Sequence, residues 1–156
     1  MELKRDIYGK NYYEDTSGHA GQVAALSGKK FEKFVAKTIR MHGSTYEWRP
    51  RYTNHVGKTK CQGDILLHYS NNTYHVECKK LGKCESHLEK LSYITENLRD
   101  NCYNYPFILV YSVAPDCPPH KLEEVKGYRN KIVALGGVVY EYNEFSQWLN
   151  ERDTDY

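Results

Sequence analysis

The sequence lacks the features of a membrane protein and of a secreted protein. No run of apolar residues approaches the roughly 18 that are needed to span a bilayer. The first 18 residues, MELKRDIYGKNYYEDTSG, contain no apolar stretch of the kind that a secretory signal requires. We therefore expect an intracellular protein, or a virus-encoded protein that acts inside a cell.

Cysteine is scarce and irregularly spaced. The five cysteines include no C-x-x-C pair, so the local signature of a structural zinc or iron–sulfur site is missing. An odd count and wide spacing also argue against a disulfide framework. We expect reduced thiols packed as small apolar groups. They are Cys61, Cys78, Cys84, Cys102 and Cys117.

Charge is nearly balanced over the whole chain but is distributed unevenly along it. The formal net charge is only +2. Residues 29–60 contain nine basic residues and two acidic ones, whereas residues 141–156 contain five acidic residues and one arginine. This asymmetry favours one surface that meets a polyanion, although a solvated, lysine-rich helix would give the same pattern.

The N-terminal half reads as an arm followed by a helix and three strands. Residues 1–26 are rich in tyrosine and polar residues, and we interpret them as an arm in which AGQVAAL could form a short helix. Residues 29–43 carry apolar side chains at helical spacing and end at a glycine. A strand at 45–49, a polar and basic loop at 50–62 and a β-hairpin at 63–80 follow.

The C-terminal half alternates helices and strands. Ser86 and Glu89 form a capping box that begins a helix, and the apolar run at 107–113 predicts a central strand covered on both faces. A helix from Pro118 to about 136, a strand at 138–142 and a last helix capped by Asn143 complete the order. We expect one α/β domain at 27–156, with three layers around a mixed sheet.

Three ionisable residues of the hairpin, Asp64, Glu77 and Lys79, are candidates for catalysis. A turn of two or four residues centred on 71–72 would place Asp64 opposite Lys79 and all three side chains on one face. Asp64 and Glu77 would then lie about 7 Å apart on the diagonal, within reach of a shared cation. An odd-length turn would break this arrangement. The alternative is a cross-strand salt bridge between Asp64 and Lys79, with Glu77 as a bystander.

Three segments of the chain resemble the PD-(D/E)xK nuclease superfamily, and its resolvase and restriction-enzyme branches in particular. They are S-G-K-K-F-E-K-F-V-A-K at 27–37, G-D-I-L-L at 63–67 and V-E-C-K-K at 76–80. The resemblance covers roughly residues 28–113, and it implies the restriction endonuclease-like αβββαβ core with an extra C-terminal α-β-α. Gly63 stands where the motif of the superfamily has proline.

The resemblance also implies an activity and a set of site residues. The activity is Mg²⁺-dependent hydrolysis of DNA phosphodiesters, with Mn²⁺ as a substitute ion. Asp64, Glu77 and the backbone carbonyl of Cys78 would bind the ion, and Lys79 would assist the attacking water. Glu32 on the first helix would complete the site, unless it is only a surface partner of neighbouring lysines.

Basic and aromatic side chains near these residues are candidates for contacts with DNA phosphates and bases, although a solvated loop is the alternative. We expect His68 and His75 to be packed or surface residues rather than substrate contacts. The tyrosines of the arm, at positions 8, 12 and 13, would pack a dimer interface or stack on bases. The candidate DNA-binding residues are Lys29, Lys30, Lys33, Arg49, Arg51, Tyr52, His55, Lys58 and Lys60.

The leading hypothesis from the sequence is a metal-dependent DNA endonuclease. It could be of the Holliday-junction-resolvase type or of the sequence-specific restriction or homing type. A small enzyme that cuts two strands usually acts as two copies, so we expect a homodimer. The alternatives are a catalytically inactive DNA-binding domain on the same fold and an RNA-processing nuclease.

Overall fold

A computed structural model describes residues 2–5, 11–14, 28–82 and 86–152 of the chain. The segment AGQVAAL, expected as a short helix, and Tyr8 lie outside these residues. The described helices are α1 (Gly28–Met41), α2 (Ser86–Arg99), α3 (Pro119–Ala134) and α4 (Tyr142–Arg152). The described strands are β1 (Glu2–Arg5), β2 (Asn11–Glu14), β3 (Thr45–Trp48), β4 (Arg51–Tyr52), β5 (Cys61–Gln62), β6 (Ile65–Tyr69), β7 (Asn72–Leu81), β8 (Phe107–Val113) and β9 (Val138–Glu141).

Five of these strands form a mixed sheet between two layers of helices. Its strand order is β3-β6-β7-β8-β9, with β3, β6 and β7 antiparallel and with β7, β8 and β9 parallel. One core joins the sheet to α1 and α4, and a second core joins the opposite face to α2 and α3. This is the three-layer α/β architecture that the sequence predicts. None of the described helices is long and apolar enough to cross a bilayer.

The apolar patterns explain where each helix and the central strand lie. The stripe of α1 is buried against the sheet, and Gly43 ends the helix with a positive φ of 80°. Strand β8 is covered on both faces: Ile108 and Val110 pack in the α1 and α4 core, and Phe107 and Leu109 in the opposite one. Helices α2 and α3 are the crossovers that parallel strands require.

The hairpin between β6 and β7 has a register that differs from the predicted one. Its turn is Ser70-Asn71, with φ of 51° and 66°, and Tyr69 pairs with Asn72. Positive φ at both central residues is the backbone of a type I′ turn, which matches the twist of the strands. The shift of two positions brings Asp64 toward Glu77 rather than Lys79. Because the shift is even, the side chains still emerge on the predicted face.

The segment 50–62 is not only a loop, as the sequence suggested, but continues the pairing of β3 with β6. Beyond Trp48 and Ile65, the Arg49 amide donates to the Asp64 carbonyl at 3.0 Å, and the next paired positions are β4 and β5. Residues 49–64 therefore form one two-stranded projection, called here the basic ribbon. Asn54 shapes its tip, since its side-chain oxygen accepts the amides of Val56 and Lys58.

The two predicted helix caps have different outcomes. Helix α4 begins at Tyr142, so Asn143 lies within its first turn and is not the cap. Glu144 takes that role instead, because its Oε1 accepts the backbone amide of Glu141 at 2.9 Å. Helix α2 begins at Ser86 as expected, but the Ser86 side chain lies outside the described atoms.

Candidate active site

Asp64 and Glu77 lie where the pairing of β6 with β7 ends. The last paired residues are Ile65 and Val76, and beyond them the two carboxylates replace the backbone ladder. Glu77 Oε2 accepts the amide of Asp64 at 2.9 Å, and Asp64 Oδ2 accepts the amide of Cys78 at 2.7 Å. Asp64 and Glu77 are only 9% and 5% exposed. Hydrogen bonds from backbone donors to carboxylates are short and directional, so these two bonds fix both side chains.

Lys79 joins this pair of carboxylates. Its Nζ lies 3.9 Å from Asp64 Oδ2. Burial would lower the pKa of Lys79, but the negative charges of Glu77 and Asp64 outweigh burial and raise it. Lys79 is therefore an ammonium in the metal-free site.

Arg49 connects Glu32 on α1 to this group. Its guanidinium donates to both carboxylate oxygens of Glu32, at 3.1 and 2.9 Å, and to Asp64 Oδ1 at 3.2 Å. It also lies over the ring of Trp48, 5.7 Å from the ring centroid. The backbone of Arg49 has a φ of 57°, a strained conformation for a residue other than glycine. This contact attaches the first helix to the catalytic-type pair.

The carboxyl groups influence the protonation of one another. Burial and the charge of Glu77 raise the pKa of Asp64, against the opposing charge of Lys79. Burial would raise the pKa of Glu77 as well, but the contact with His75 and the charge of Lys79 lower it. Burial is also the main cause of the raised pKa of Glu32. Of the buried pair, Asp64 is the group that takes up a proton more readily.

His75 is a buried neighbour of Glu77. It is only 2% exposed, and its Nε2 lies 3.5 Å from Glu77 Oε1 with no hydrogen-bond partner within the described part of the chain. Its ring is stacked on Phe107 and packs against Tyr103. A Cβ at position 63 would lie 2.4 Å from His75 Cε1 and 2.5 Å from Nε2, so only glycine leaves room for this imidazole.

The pair Asp64 and Glu77 suits a hard divalent cation such as Mg²⁺. Such an ion commonly takes one or two carboxylates and completes its shell with water and substrate oxygens. The negative charge of Glu77 helps to raise the pKa of Asp64. A bound cation would relieve this repulsion between the two carboxylates. The carbonyl of Cys78 points to the same side of the strand as its N–H, which meets Asp64, so it is a candidate third ligand.

The described residues do not form a closed cage of metal-binding side chains. Among the described residues, no group of three or more His, Cys, Asp or Glu side chains is arranged to hold a metal ion. Both oxygens of the Glu32 carboxylate are occupied by Arg49. The thiol of Cys78 belongs to the core on the opposite face, and burial raises its pKa well above the usual range. The donor set therefore fits an open site with two carboxylates.

Comparisons with known proteins give likeness of fold alone. No protein family matches the sequence, and no curated protein matches it. The similar solved structures include a protein of unknown function, AF1548, at 10% identity and a TM-score of 0.46; SfsA of Pyrococcus furiosus in complex with Ca²⁺, at 15% and 0.45; and VC1899 of Vibrio cholerae, at 14% and 0.48.

The matched regions cover most of this chain but less of the others. They span 80%, 89% and 95% of this chain and 66%, 68% and 39% of AF1548, SfsA and VC1899 respectively. Likenesses at these identities and TM-scores say nothing about the activity of this chain. The function must be inferred from the site itself.

The predicted DNA-binding residues fall into two exposed groups and one buried exception. Three lysines lie on the first turns of α1, and the remaining residues lie on the basic ribbon. Tyr52 is a core residue, since it is only 7% exposed, its hydroxyl contacts Tyr93 and its ring packs on Tyr103. The exposed residues are Lys29, Lys30, Lys33, Arg49, Arg51, Lys58 and Lys60, and His55 is half-buried.

His68 is a surface residue, as expected, and its Nε2 lies 2.7 Å from Glu47 Oε2. Two other residues, His75 and Arg49, make contacts at the site that sequence reasoning missed. His75 is packed, as expected, but it also contacts Glu77, and their spacing of two residues was the available signal. The bridging role of Arg49 left no such signal, because it joins residues 17 and 15 positions away.

Proposed function

We propose that this chain is a divalent-metal-dependent nuclease that hydrolyses phosphodiester bonds in DNA. The observation that carries the proposal is the convergence of Asp64, Glu77 and Lys79 at the end of the β6–β7 pairing, with the carboxylates fixed by backbone amides. Burying two carboxylates is costly, and a structural salt bridge would need only one. The arrangement also agrees with the resemblance of the sequence to the PD-(D/E)xK superfamily.

Each residue has a chemical task in this proposal. Asp64, Glu77 and the carbonyl of Cys78 would hold Mg²⁺ or Mn²⁺, with Glu32 at the edge of the site. The ion would supply an acidified water and stabilise negative charge on the phosphate. The Lys79 ammonium donates hydrogen bonds, so it can orient the attacking water and balance charge on the scissile phosphate.

DNA is the expected partner because exposed cationic side chains lie on both sides of the site. Those of α1 adjoin Glu32, and those of the basic ribbon adjoin Asp64. Contacts of this kind bind phosphates and position the strand without reading its sequence. We also expect a homodimer, since cutting two strands needs two sites. Light scattering on the purified protein would give its oligomeric state.

The experiment is cleavage of plasmid, linear duplex and four-way junction DNA, with Mg²⁺ and with EDTA. We expect metal-dependent cutting by the wild type. Asp64→Asn and Glu77→Gln should reduce the rate at least about 100-fold, because oriented ligands and charge stabilisation are lost together. Binding measured by gel shift in Ca²⁺ should change far less than cutting.

Two exposed residues provide matched controls. Glu123→Gln changes an exposed carboxylate of α3 and should leave cutting unchanged, as should Lys126→Ala when it is compared with Lys79→Ala. If Asp64→Asn cuts as fast as Glu123→Gln, the activity comes from a different site or a contaminant. If no DNA is cut in Mg²⁺ or Mn²⁺ while binding persists, the chain is a DNA-binding domain and not a nuclease.

A further inference from the structure

A groove of about 610 Å³ lies between the far half of the basic ribbon and the C-terminal end of α2. It is called here the ribbon groove. Arg51, His55 and Lys60 line the side formed by the ribbon, and Asn101 and Asn104 line the opposite side. Its volume falls in the range of sites that hold one small organic ligand, roughly 300–1,000 Å³. It therefore suits one nucleotide better than a base pair with two backbones.

The groove begins close to the candidate active site along the same ribbon. Arg51 pairs with Gln62, two positions from the contact between Arg49 and Asp64. Strand residues rise about 3.3 Å each, so the groove begins roughly 7 Å from that contact. This is about two nucleotide rises of B-form DNA, at roughly 3.4 Å each. A strand with its phosphate at Asp64 can therefore reach the ribbon groove with a nucleotide about two positions along.

The His55 side of the groove is held rigidly. Asn97 is fully buried, and its Oδ1 contacts both the backbone amide and the Nδ1 of His55, at 3.0 and 2.8 Å. A carbonyl oxygen only accepts hydrogen bonds, so Nδ1 is the donor in this contact and Nε2 takes no part in it. Asn97 is fixed in turn, since its Nδ2 donates to the Tyr103 hydroxyl at 3.1 Å.

The groove presents groups that match the two parts of a nucleotide. Arg51 and Lys60 are cationic donors for phosphate, whereas one acidic residue, Asp100, lines the groove. Imidazole and amide groups offer both donors and acceptors, which is what recognition of base edges requires. Lys60 has a left-handed backbone, with a φ of 59°, and such strain is frequent at ligand sites.

We propose that the ribbon groove binds an unpaired nucleotide that flanks the phosphodiester held at Asp64. The preferred substrate would then be DNA that is single-stranded at that point, such as a branch, a flap or a frayed end. This inference rests on the proposed nuclease function for its meaning. The binding step itself does not depend on cleavage and is tested without it.

The test is binding of a fluorescently labelled single-stranded DNA hexamer in EDTA, measured by anisotropy at several salt concentrations. Arg51→Ala and Lys60→Ala should each weaken binding about three- to tenfold, and each should reduce the slope of log K against log salt by about 0.7. His55→Phe should weaken binding with little change in the slope, since it removes a hydrogen-bonding ring and leaves Arg51 and Lys60 in place. Lys126→Ala is the control and should change neither quantity.

The outcomes separate this inference from the proposed function. The inference is overturned if Lys60→Ala behaves like Lys126→Ala, or if a blunt duplex or a poly-glutamate peptide displaces the hexamer at equal concentration. Asp64→Asn should bind the hexamer at least as tightly as the wild type does in EDTA, because it removes a negative charge and leaves the groove unchanged. If the wild type cuts DNA but Lys60→Ala leaves hexamer binding unchanged, the groove proposal is rejected and the nuclease proposal stands. If the groove variants weaken hexamer binding but no metal supports cutting, the nuclease proposal is rejected and the groove proposal stands.

Discussion

Replacement of Gly63 by alanine tests the packing behind the candidate site. The new methyl group would lie 2.4 Å from Cε1 and 2.5 Å from Nε2 of His75, and 3.2 Å from Cγ of Pro50. The imidazole cannot move away easily, because the rings of Tyr103 and Phe107 lie 4.5 and 5.9 Å from its centroid. The backbone of Gly63 is not left-handed, so the effect of the substitution reports on space alone.

The size of the effect follows from the depth of the overlap. Forcing a methyl group into a packed core costs about 1–3 kcal/mol, and contacts this close point to the upper part of that range. Removing the ring with His75→Ala leaves a cavity and costs about 2–5 kcal/mol. In that background the methyl group at position 63 has room, so the double variant should be more stable than the sum of the single effects by about 1–3 kcal/mol.

Urea unfolding followed by tryptophan fluorescence measures all four proteins of this cycle. Gly127→Ala is the control, because Gly127 lies in α3 with nothing within 4 Å of a new Cβ. It should raise stability by about 0.5–1 kcal/mol, as expected for glycine in a helix. The reasoning is refuted if Gly63→Ala costs nothing, or if it costs the same whether or not the His75 ring is present.

Three further predictions concern charge and backbone strain. Arg49→Gln should lower the stability of the metal-free protein by about 1 kcal/mol, because Glu32 and Asp64 lose their shared cation; equal melting temperatures in EDTA would contradict this. Burial lowers the pKa of Lys80 to about 8, so Lys80→Met should stabilise the protein at pH 7. That gain should shrink by pH 9.5, because the folded wild type has then released the proton, and a constant gain would refute the cause. Ser70→Gly should add about 0.5 kcal/mol by relieving a φ of 51°, and a loss in urea unfolding would count against the type I′ turn.

The fold was predictable because local patterns of apolar residues, proline and glycine in the sequence indicate its main helices and strands. The stripe of α1 and the apolar run of β8 each determine which side chains are buried, and both were located correctly. Pro118 and the Gly136-Gly137 pair bracket α3, where proline suits a helix start and glycine supplies the positive φ at its end. Patterns of this kind depend on neighbouring residues only.

The register of the hairpin was not predictable to the same degree. The sequence S-N-N offers two two-residue turns, and asparagine favoured the wrong one, since serine accepts positive φ less readily. The predicted face of the site residues was still correct, because both turns leave the same side chains on each face of the hairpin. The contact from His55 to Asn97 joins residues 42 positions apart, and no local pattern reports contacts over such distances. The same holds for the burial of Tyr52, which lies in a segment that reads as solvated.

The charges of the site lead to one last prediction, that metal and DNA bind cooperatively. Three carboxylates, on Glu32, Asp64 and Glu77, face two cations, on Arg49 and Lys79, so the group is formally negative by one. A phosphodiester alone would add repulsion, whereas a divalent cation and one phosphate together bring the formal charge to zero. Ca²⁺ should therefore tighten DNA binding, and by linkage DNA should tighten Ca²⁺ binding by the same factor, about 5- to 150-fold. Titration calorimetry measures both, and the coupling should shrink in Asp64→Asn. If Ca²⁺ leaves DNA affinity unchanged in the wild type, the two carboxylates do not share an ion beside the phosphate.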